Sequence, residues 1–122
     1  MYNFIFVCKY RKKLLVKLGD DIKQYMYDIS KQYDFTIIEM EVDKDHIHLM
    51  IESEHKLSPL MICRVLKQQS TYRIWKYHRT YLQKHFWKEN TFWTDGYFVS
   101  SIGEVSSKTL SKYIKNQGRQ TY

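Results

Sequence analysis

Apolar residues recur along this chain with two different periods, and the switches between them divide it into elements. Tyr2 to Val7 is rich in Phe, Ile and Val and alternates only weakly, the signature of a strand buried on at least one face. Gly19-Asp20-Asp21 reads as a break and a cap. After it Ile22, Tyr25, Met26, Ile29 and Tyr33 recur at i, i+3, i+4, i+7 and i+11, which predicts an amphipathic helix lying on a sheet. Phe35 to Val42 alternates in part and reads as a second strand. Asp43-Lys44-Asp45 is a short turn, and His46 to Ser53 returns as a third strand, so the two form an antiparallel hairpin.

Ser58-Pro59 places an N-cap before a proline at the first helical position. The helix that follows runs through Ile62, Val65, Leu66 and Gln69 to about Tyr77, and is expected to carry Arg64, Lys67, Arg73 and Lys76 outward. From His78 to Asn90 the periodicity is lost and no element is predicted. Phe92 to Ser100 reads as a strand, with Gly96 marking a turn or bulge before its second half. A last helix is predicted from Ser106 or Ser107 to Gln117, with serine as N-cap and Gly118 in the C′ position. Leu110, Tyr113, Ile114 and Gln117 share one of its faces. Repeats, low-complexity runs and linkers are absent from the sequence, so the 122 residues read as a single domain, 1–122.

Charge adds a partner to this picture. Lys and Arg total 20 against 13 Asp and Glu, a net charge of +7, which favours a polyanion, above all nucleic acid, over simple solubility. Lys9-Tyr10-Arg11-Lys12-Lys13 puts four cations in five residues at the end of a core strand. That run suits either a solvated loop or a phosphate contact. Eleven tyrosines and three tryptophans suit unstacked bases as well as a core. Cys8 and Cys63 fit no CxxC or zinc spacing and read as small apolar residues of a reducing compartment. The first residues lack a signal-peptide pattern and no apolar run reaches the length of a membrane span, so a soluble cytoplasmic protein is expected.

Candidate chemistry centres on His46 and His48. Residues two apart on a strand project from one face, and two imidazoles held that way form half of a metal site. Taken alone, the pair is a weak signal that favours ordinary hydrogen-bonded histidines over a metal site. Tyr113 and Gln117, one helical turn apart on an inward stripe, add a phenol and a carboxamide. Two imidazoles and one amide oxygen make three ligands and leave positions for phosphate oxygens and water. A divalent ion there could polarise a phosphodiester while the phenol attacks in line. The products would be a 5′-phosphotyrosine ester and a free 3′-hydroxyl.

Asp45-His46-Ile47-His48-Leu49 resembles the His-hydrophobic-His (HUH) motif. Lys112-Tyr113-Ile114-Lys115-Asn116-Gln117-Gly118 looks like the tyrosine-helix motif of the single-tyrosine HUH transposases, the TnpA type of small bacterial insertion sequences. Lys9-Tyr10-Arg11-Lys12, Leu66-Lys67 with Ser70 and Arg73, and Trp93 through Tyr97-Phe98 to Ser101-Gly103 fall in the same order as further landmarks of that family. The resemblance implies an α+β fold, an antiparallel sheet of four to five strands backed by helices, RNA-recognition-like or ferredoxin-like, with a C-terminal helix carrying the tyrosine. It implies His46, His48 and Gln117 as metal ligands, Mg2+ or Mn2+ as the ion, and Tyr113 as the nucleophile that cuts single-stranded DNA. It further implies a homodimer that recognises DNA hairpins near the ends of the element. Lys9, Arg11, Lys12, Lys13, Lys67 and Arg73 are the expected DNA contacts. Competing readings are an HUH nuclease with a replication, conjugation or host role, and a nucleic-acid-binding module without catalysis.

Overall fold

Pairing begins with the first strand, β1 (Tyr2–Val7), whose phenylalanines Phe4 and Phe6 point to one face while Asn3, Ile5 and Val7 point to the other. The computed structural model describes residues 1–53 and 57–101. In it β1 lies between β3 (His46–Glu52) and β4 (Phe98–Ser101), and β2 (Thr36–Val42) flanks β3, giving the order β2-β3-β1-β4. Every pairing is antiparallel. With helices α1 (Leu15–Gln32) and α2 (Pro59–Gln83) the element order is βαββαβ, a ferredoxin-like arrangement. The expected α+β class, the β2–β3 hairpin and the antiparallel sheet are all present, with four strands among the described residues. The predicted C-terminal helix lies outside them.

The main core fills the space between one face of the sheet and the helices. Phe4, Phe6, Ile47, Leu49 and Ile51 from the strands form one buried cluster with Leu18, Ile22, Met26 and Ile29 of α1 and Ile62, Leu66 and Ile74 of α2. Cys8 and Cys63 belong to this cluster, and burial pushes their thiols up to about 12 and about 11, with the Asp45 carboxylate adding to the rise at Cys8. They behave as the small apolar residues the sequence suggested.

Two helix boundaries differ from expectation. Gly19 does not break a helix, because α1 begins at Leu15 and runs through it. A Cβ on Gly19 would lie 3.0 Å from Val42 Cγ1, so this glycine is what lets α1 approach β2 closely. The start of α1 is held from a distance rather than by an aspartate cap, since Leu15 N donates to Lys44 O at 3.0 Å in the β2–β3 turn. At its other end Asp34 takes φ 61°, and Phe35 N reaches back to Ser30 O at 3.1 Å, a left-handed stop that Asp tolerates better than most residues. The second helix starts as predicted, with the Ser58 hydroxyl accepting from Met61 N at 3.1 Å and Pro59 in its first turn. It ends at Gln83, beyond Tyr77, and bends at His78 (φ −131°, ψ 32°). There Nε2 of His78 lies 3.2 Å from Asp21 Oδ2 on α1. The bend resets the apolar face, so that Leu82 and then Phe86 rejoin the core, which is why a single helical period does not describe the stretch.

The expected strand over Phe92 to Ser100 is split. Trp93 bridges Cys8, with Lys9 N donating to Phe92 O and Thr94 N to Val7 O, both at 2.8 Å. Pairing then lapses and resumes at Phe98, opposite Ile5. The turn around Gly96 separates the two halves, as its glycine suggested.

Gly19→Leu is expected to cost about 1–3 kcal/mol, because the larger side chain must push Val42 or α1 aside. The loss appears as a lower urea midpoint at unchanged slope. A Leu variant as stable as the parent would show that the close approach of α1 to β2 is not needed.

Candidate active site

The register that fills the helix-side core fixes where the histidines go. Phe4 opposes Leu49 and Phe6 opposes Ile47, so His46 and His48, at the alternate positions of β3, share the other face with their partners Val7 and Ile5. Glu41 of β2 is the neighbour of His48 on that face. The imidazole centroids are 4.9 Å apart, with the rings 74° from coplanar. Both residues are buried, at 4% and 1% exposure.

Asp45, in the turn just before β3, orients the first imidazole. His46 Nδ1 lies 2.7 Å from Asp45 Oδ1, and an ionised carboxylate can only accept, so this nitrogen carries a proton. The other carboxylate oxygen accepts from Arg11 Nε at 3.3 Å. Burial raises the Asp45 carboxyl, but the hydrogen bond and charge of His46, together with Arg11, outweigh it and hold it below the ordinary carboxylate range. Asp43 Oδ2 stands 3.9 Å from His46 Nε2. His48 is pushed down to about 4, first by burial and then by His46, against an upward pull from Asp43. It is therefore a neutral imidazole at physiological pH, the form that binds metals.

Of the expected site residues, the structure thus brings His46 and His48 together. Tyr113 and Gln117 lie outside the described residues. Among the described residues no group of three or more His, Cys, Asp or Glu side chains is gathered as a metal cage. Two neutral-capable imidazoles side by side, one of them held by a carboxylate, are a donor set that fits a divalent transition ion and accepts Mg2+ less readily.

The expected DNA contacts fall into two groups. Lys9, Arg11, Lys12 and Lys13 lie in and just after a 3-10 turn, Lys9–Arg11, where Tyr10 and Arg11 take φ of 59° and 52°. This turn abuts the site through the Arg11–Asp45 pair. Lys67 and Arg73 are not the outward cations expected of α2. Lys67 Nζ donates to Thr94 O at 2.6 Å and Gly96 O at 2.7 Å, clamping the turn that leads into β4. Burial lowers the Lys67 ammonium, partly countered by Cys63 and Asp95. Arg73 Nη2 donates to Gln32 Oε1 at 2.7 Å, tying α2 to α1.

Asp45 is the partner of His46 that the histidine spacing alone does not reveal. Its signal was its position immediately before His46, where a carboxylate in a tight turn can reach the adjacent ring. In the stretch without periodicity, Phe86 and Glu89 contact the basic turn: Tyr10 Oη donates to Glu89 Oε2 at 3.3 Å, and the Tyr10 and Phe86 ring centroids are 6.4 Å apart.

The chain is similar to known proteins over most of its length. The chain is 29% identical over 117 residues to the ISDra2 transposase TnpA of Deinococcus radiodurans, covering 95% of this chain and 82% of that one. It is 26% identical over 117 residues to the transposase for insertion sequence element IS200 of Salmonella typhimurium, covering 95% and 75%. Among solved structures, a protein described as a transposase from Deinococcus radiodurans R1 superposes with a TM-score of 0.75 at 26% identity, over 95% of this chain and 88% of the other. A REP-associated tyrosine transposase bound to a REP hairpin superposes with a TM-score of 0.65 over 93% of this chain and 61% of that one, and at 14% identity this likeness is one of fold. A family model described as "Transposase IS200 like" matches residues 1–117, and the chain belongs to the IS200-like transposase family.

Proposed function

We propose that this protein is a DNA transposase that cleaves and rejoins single-stranded DNA at insertion-sequence ends through a 5′-phosphotyrosine intermediate, dependent on Mg2+ or Mn2+. The observation that carries the reading is the pair His46 and His48, adjacent on one face of a buried central strand, with Asp45 bonded to Nδ1 of the first. Membership of a transposase family supports the reaction class. In this reading Gln117 supplies the third ligand and Tyr113 the nucleophile.

His46 and His48, with Gln117, would hold the divalent ion, which would supply Lewis-acid polarisation of the scissile phosphate and offset developing negative charge. Tyr113 Oη attacks phosphorus, forming the O–P bond of the phosphotyrosine, while its proton passes to solvent. The P–O3′ bond breaks, and its electron pair leaves on the 3′ oxygen, which is protonated to a hydroxyl. Rejoining reverses the step: a 3′-hydroxyl attacks the phosphotyrosine and displaces the phenol. One phosphodiester is exchanged for another, so no external energy source is consumed. His46 and His48 would be the protein's imidazole ligands to the ion, and Asp45, 2.7 Å from His46 Nδ1, keeps that ring from turning.

The basic turn at Lys9, Arg11, Lys12 and Lys13 is the natural element for backbone phosphates. A fold neighbour bound to a REP hairpin supports hairpin-bearing single strands as the substrate. The reading extends to a cytoplasmic homodimer in which Tyr113 acts within its own subunit or in its partner. Among the described residues no helix is long and apolar enough to cross a membrane.

Incubated with manganese and a labelled hairpin-bearing single strand, the protein is expected to form an adduct that survives denaturing electrophoresis, and Tyr113→Phe to abolish it. An adduct formed by the Phe variant would reassign the nucleophile. His46→Ala is expected to lose cleavage while keeping hairpin affinity within a few-fold, and equal loss of both would make that histidine structural instead. Asp45→Ala is expected to weaken manganese binding about 10- to 100-fold, measured by titrating the free ion's electron paramagnetic resonance signal. Undiminished affinity would remove Asp45 from any role at the ion.

A further inference from the structure

Two stretches far apart in sequence form one surface. The 3-10 turn after β1 and the segment after α2 are joined by Lys9 Nζ to Glu89 Oε1 at 3.8 Å and by the Tyr10 hydroxyl, which donates to Glu89 Oε2 at 3.3 Å. Tyr10 also faces Phe86, with ring centroids 6.4 Å apart, and Lys12 Nζ sits 6.0 Å from the centre of that ring. Three non-glycine residues here have left-handed backbones, Tyr10 (φ 59°), Arg11 (φ 52°) and Lys88 (φ 62°). Such strain persists only where surrounding contacts enforce it, and it gathers at binding sites.

The side chain this arrangement exposes is an indole. Trp87 is 80% exposed, the most solvent-accessible of the large apolar side chains described, whereas Trp75 and Trp93 are each 4% exposed and donate their indole N–H groups to Thr91 O and Ser70 Oγ. Lys88 Nζ lies 4.5 Å from the centre of the Trp87 ring, and most of the indole remains open to solvent. Cations lie along the same stretch: Lys84 and Lys88 flank Trp87 in sequence, Lys12 Nζ sits 6.0 Å from the centre of the adjacent Phe86 ring, and Lys17 Nζ sits 4.3 Å from the centre of the Tyr81 ring, itself 4.8 Å from the His85 ring. An exposed indole, set among ammonium groups, suits a planar unpaired base with phosphates on either side.

We propose that Trp87 is a stacking platform for an unpaired base of the bound DNA strand, flanked by Lys12, Lys84 and Lys88 as contacts to its backbone phosphates. The assignment rests on the reading of this protein as a single-strand DNA transposase and adds to it a contact site next to the turn whose Arg11 holds Asp45.

The test uses the full chain in EDTA, so that binding is read without cleavage. The probes are a fluorescein-labelled DNA hairpin with an unpaired tail and a blunt duplex of equal length. Trp87→Ala is expected to weaken binding of the tailed hairpin about 10- to 100-fold, to leave the blunt duplex unchanged, and to keep the parent melting temperature because the side chain is exposed. Trp87→Phe is expected to restore most of the affinity. Intrinsic fluorescence of the parent should fall on binding the tailed hairpin. Unchanged affinity in Trp87→Ala, or an equal loss on tailed hairpin and blunt duplex, would overturn the assignment while leaving the Tyr113 adduct intact. Failure of the parent to bind either probe or to form that adduct would overturn both.

Discussion

Strand register is the constraint on which the rest of this molecule depends. Side chains alternate with a period of two along β3, so a slip of one residue against β1 would turn His46 and His48 into the helix-side core and drive Ile47 and Leu49 out of it. The pairs Phe4–Leu49 and Phe6–Ile47 prevent that slip, because each fills space between the sheet and the helices that an imidazole would fill badly. Hydrophobic packing on one side of the sheet thereby positions polar chemistry on the other. Since β3 has paired strands on both edges, with β1 at one and β2 at the other, the histidine pair sits where the sheet is most rigid. Side chains on a central strand are held more accurately than those on a loop.

The turn between β2 and β3 carries this rigidity to neighbouring elements. Asp43 N donates to His46 O at 2.9 Å, Leu15 N to Lys44 O at 3.0 Å, and Cys8 N to Asp45 O at 2.8 Å. One three-residue turn thus closes the hairpin, anchors the start of α1 and receives the end of β1. Its side chains then do different work from its backbone: Asp45 joins Arg11 to His46, and Asp43 raises the proton affinity of His48 against the larger effect of burial. Backbone and side chains reinforce each other, so the carboxylate beside His46 is placed by the same contacts that hold the fold.

Local signals were legible in the sequence wherever neighbours in the chain decide the outcome. The Ser58-Pro59 helix start, the β2–β3 hairpin and the i, i+2 histidines follow from spacing and capping alone, and the fold class followed from the motifs together. Where distant residues decide, the sequence misleads. Gly19 resembles a helix break, yet it lies inside α1 because Val42 leaves no room for a side chain. Lys67 looks like a surface cation on an amphipathic helix, yet two carbonyls of the 94–96 turn claim its ammonium. Neither Val42 nor Thr94 is close in sequence to the residue it constrains. The stretch from His78 to Asn90 was opaque for a related reason: α2 bends where His78 meets Asp21, and the helical period on one side of the bend does not continue on the other. Asp45 fell between these cases, being adjacent to His46 in sequence but recognisable as its partner only once the turn places it.

Under the proposed function two imidazoles would be half of a site in energetic terms. A divalent ion held by two neutral nitrogens and water binds weakly compared with one held by three or four protein ligands, and neutral ligands do nothing to balance its charge. Under the proposed function the third ligand and the nucleophile, Gln117 and Tyr113, are four residues apart in the sequence, so whatever brings the phenol to the phosphate would also bring the third ligand to the histidines. Arrival of the tyrosine and completion of the ligand set would then be a single event. A rigid histidine pair on β3 makes this coupling effective, because the free energy gained on adding the third ligand is not spent on ordering the first two. A preformed three-ligand cage on the sheet would bind the ion more tightly, but it would sever that link between occupancy and readiness to cut.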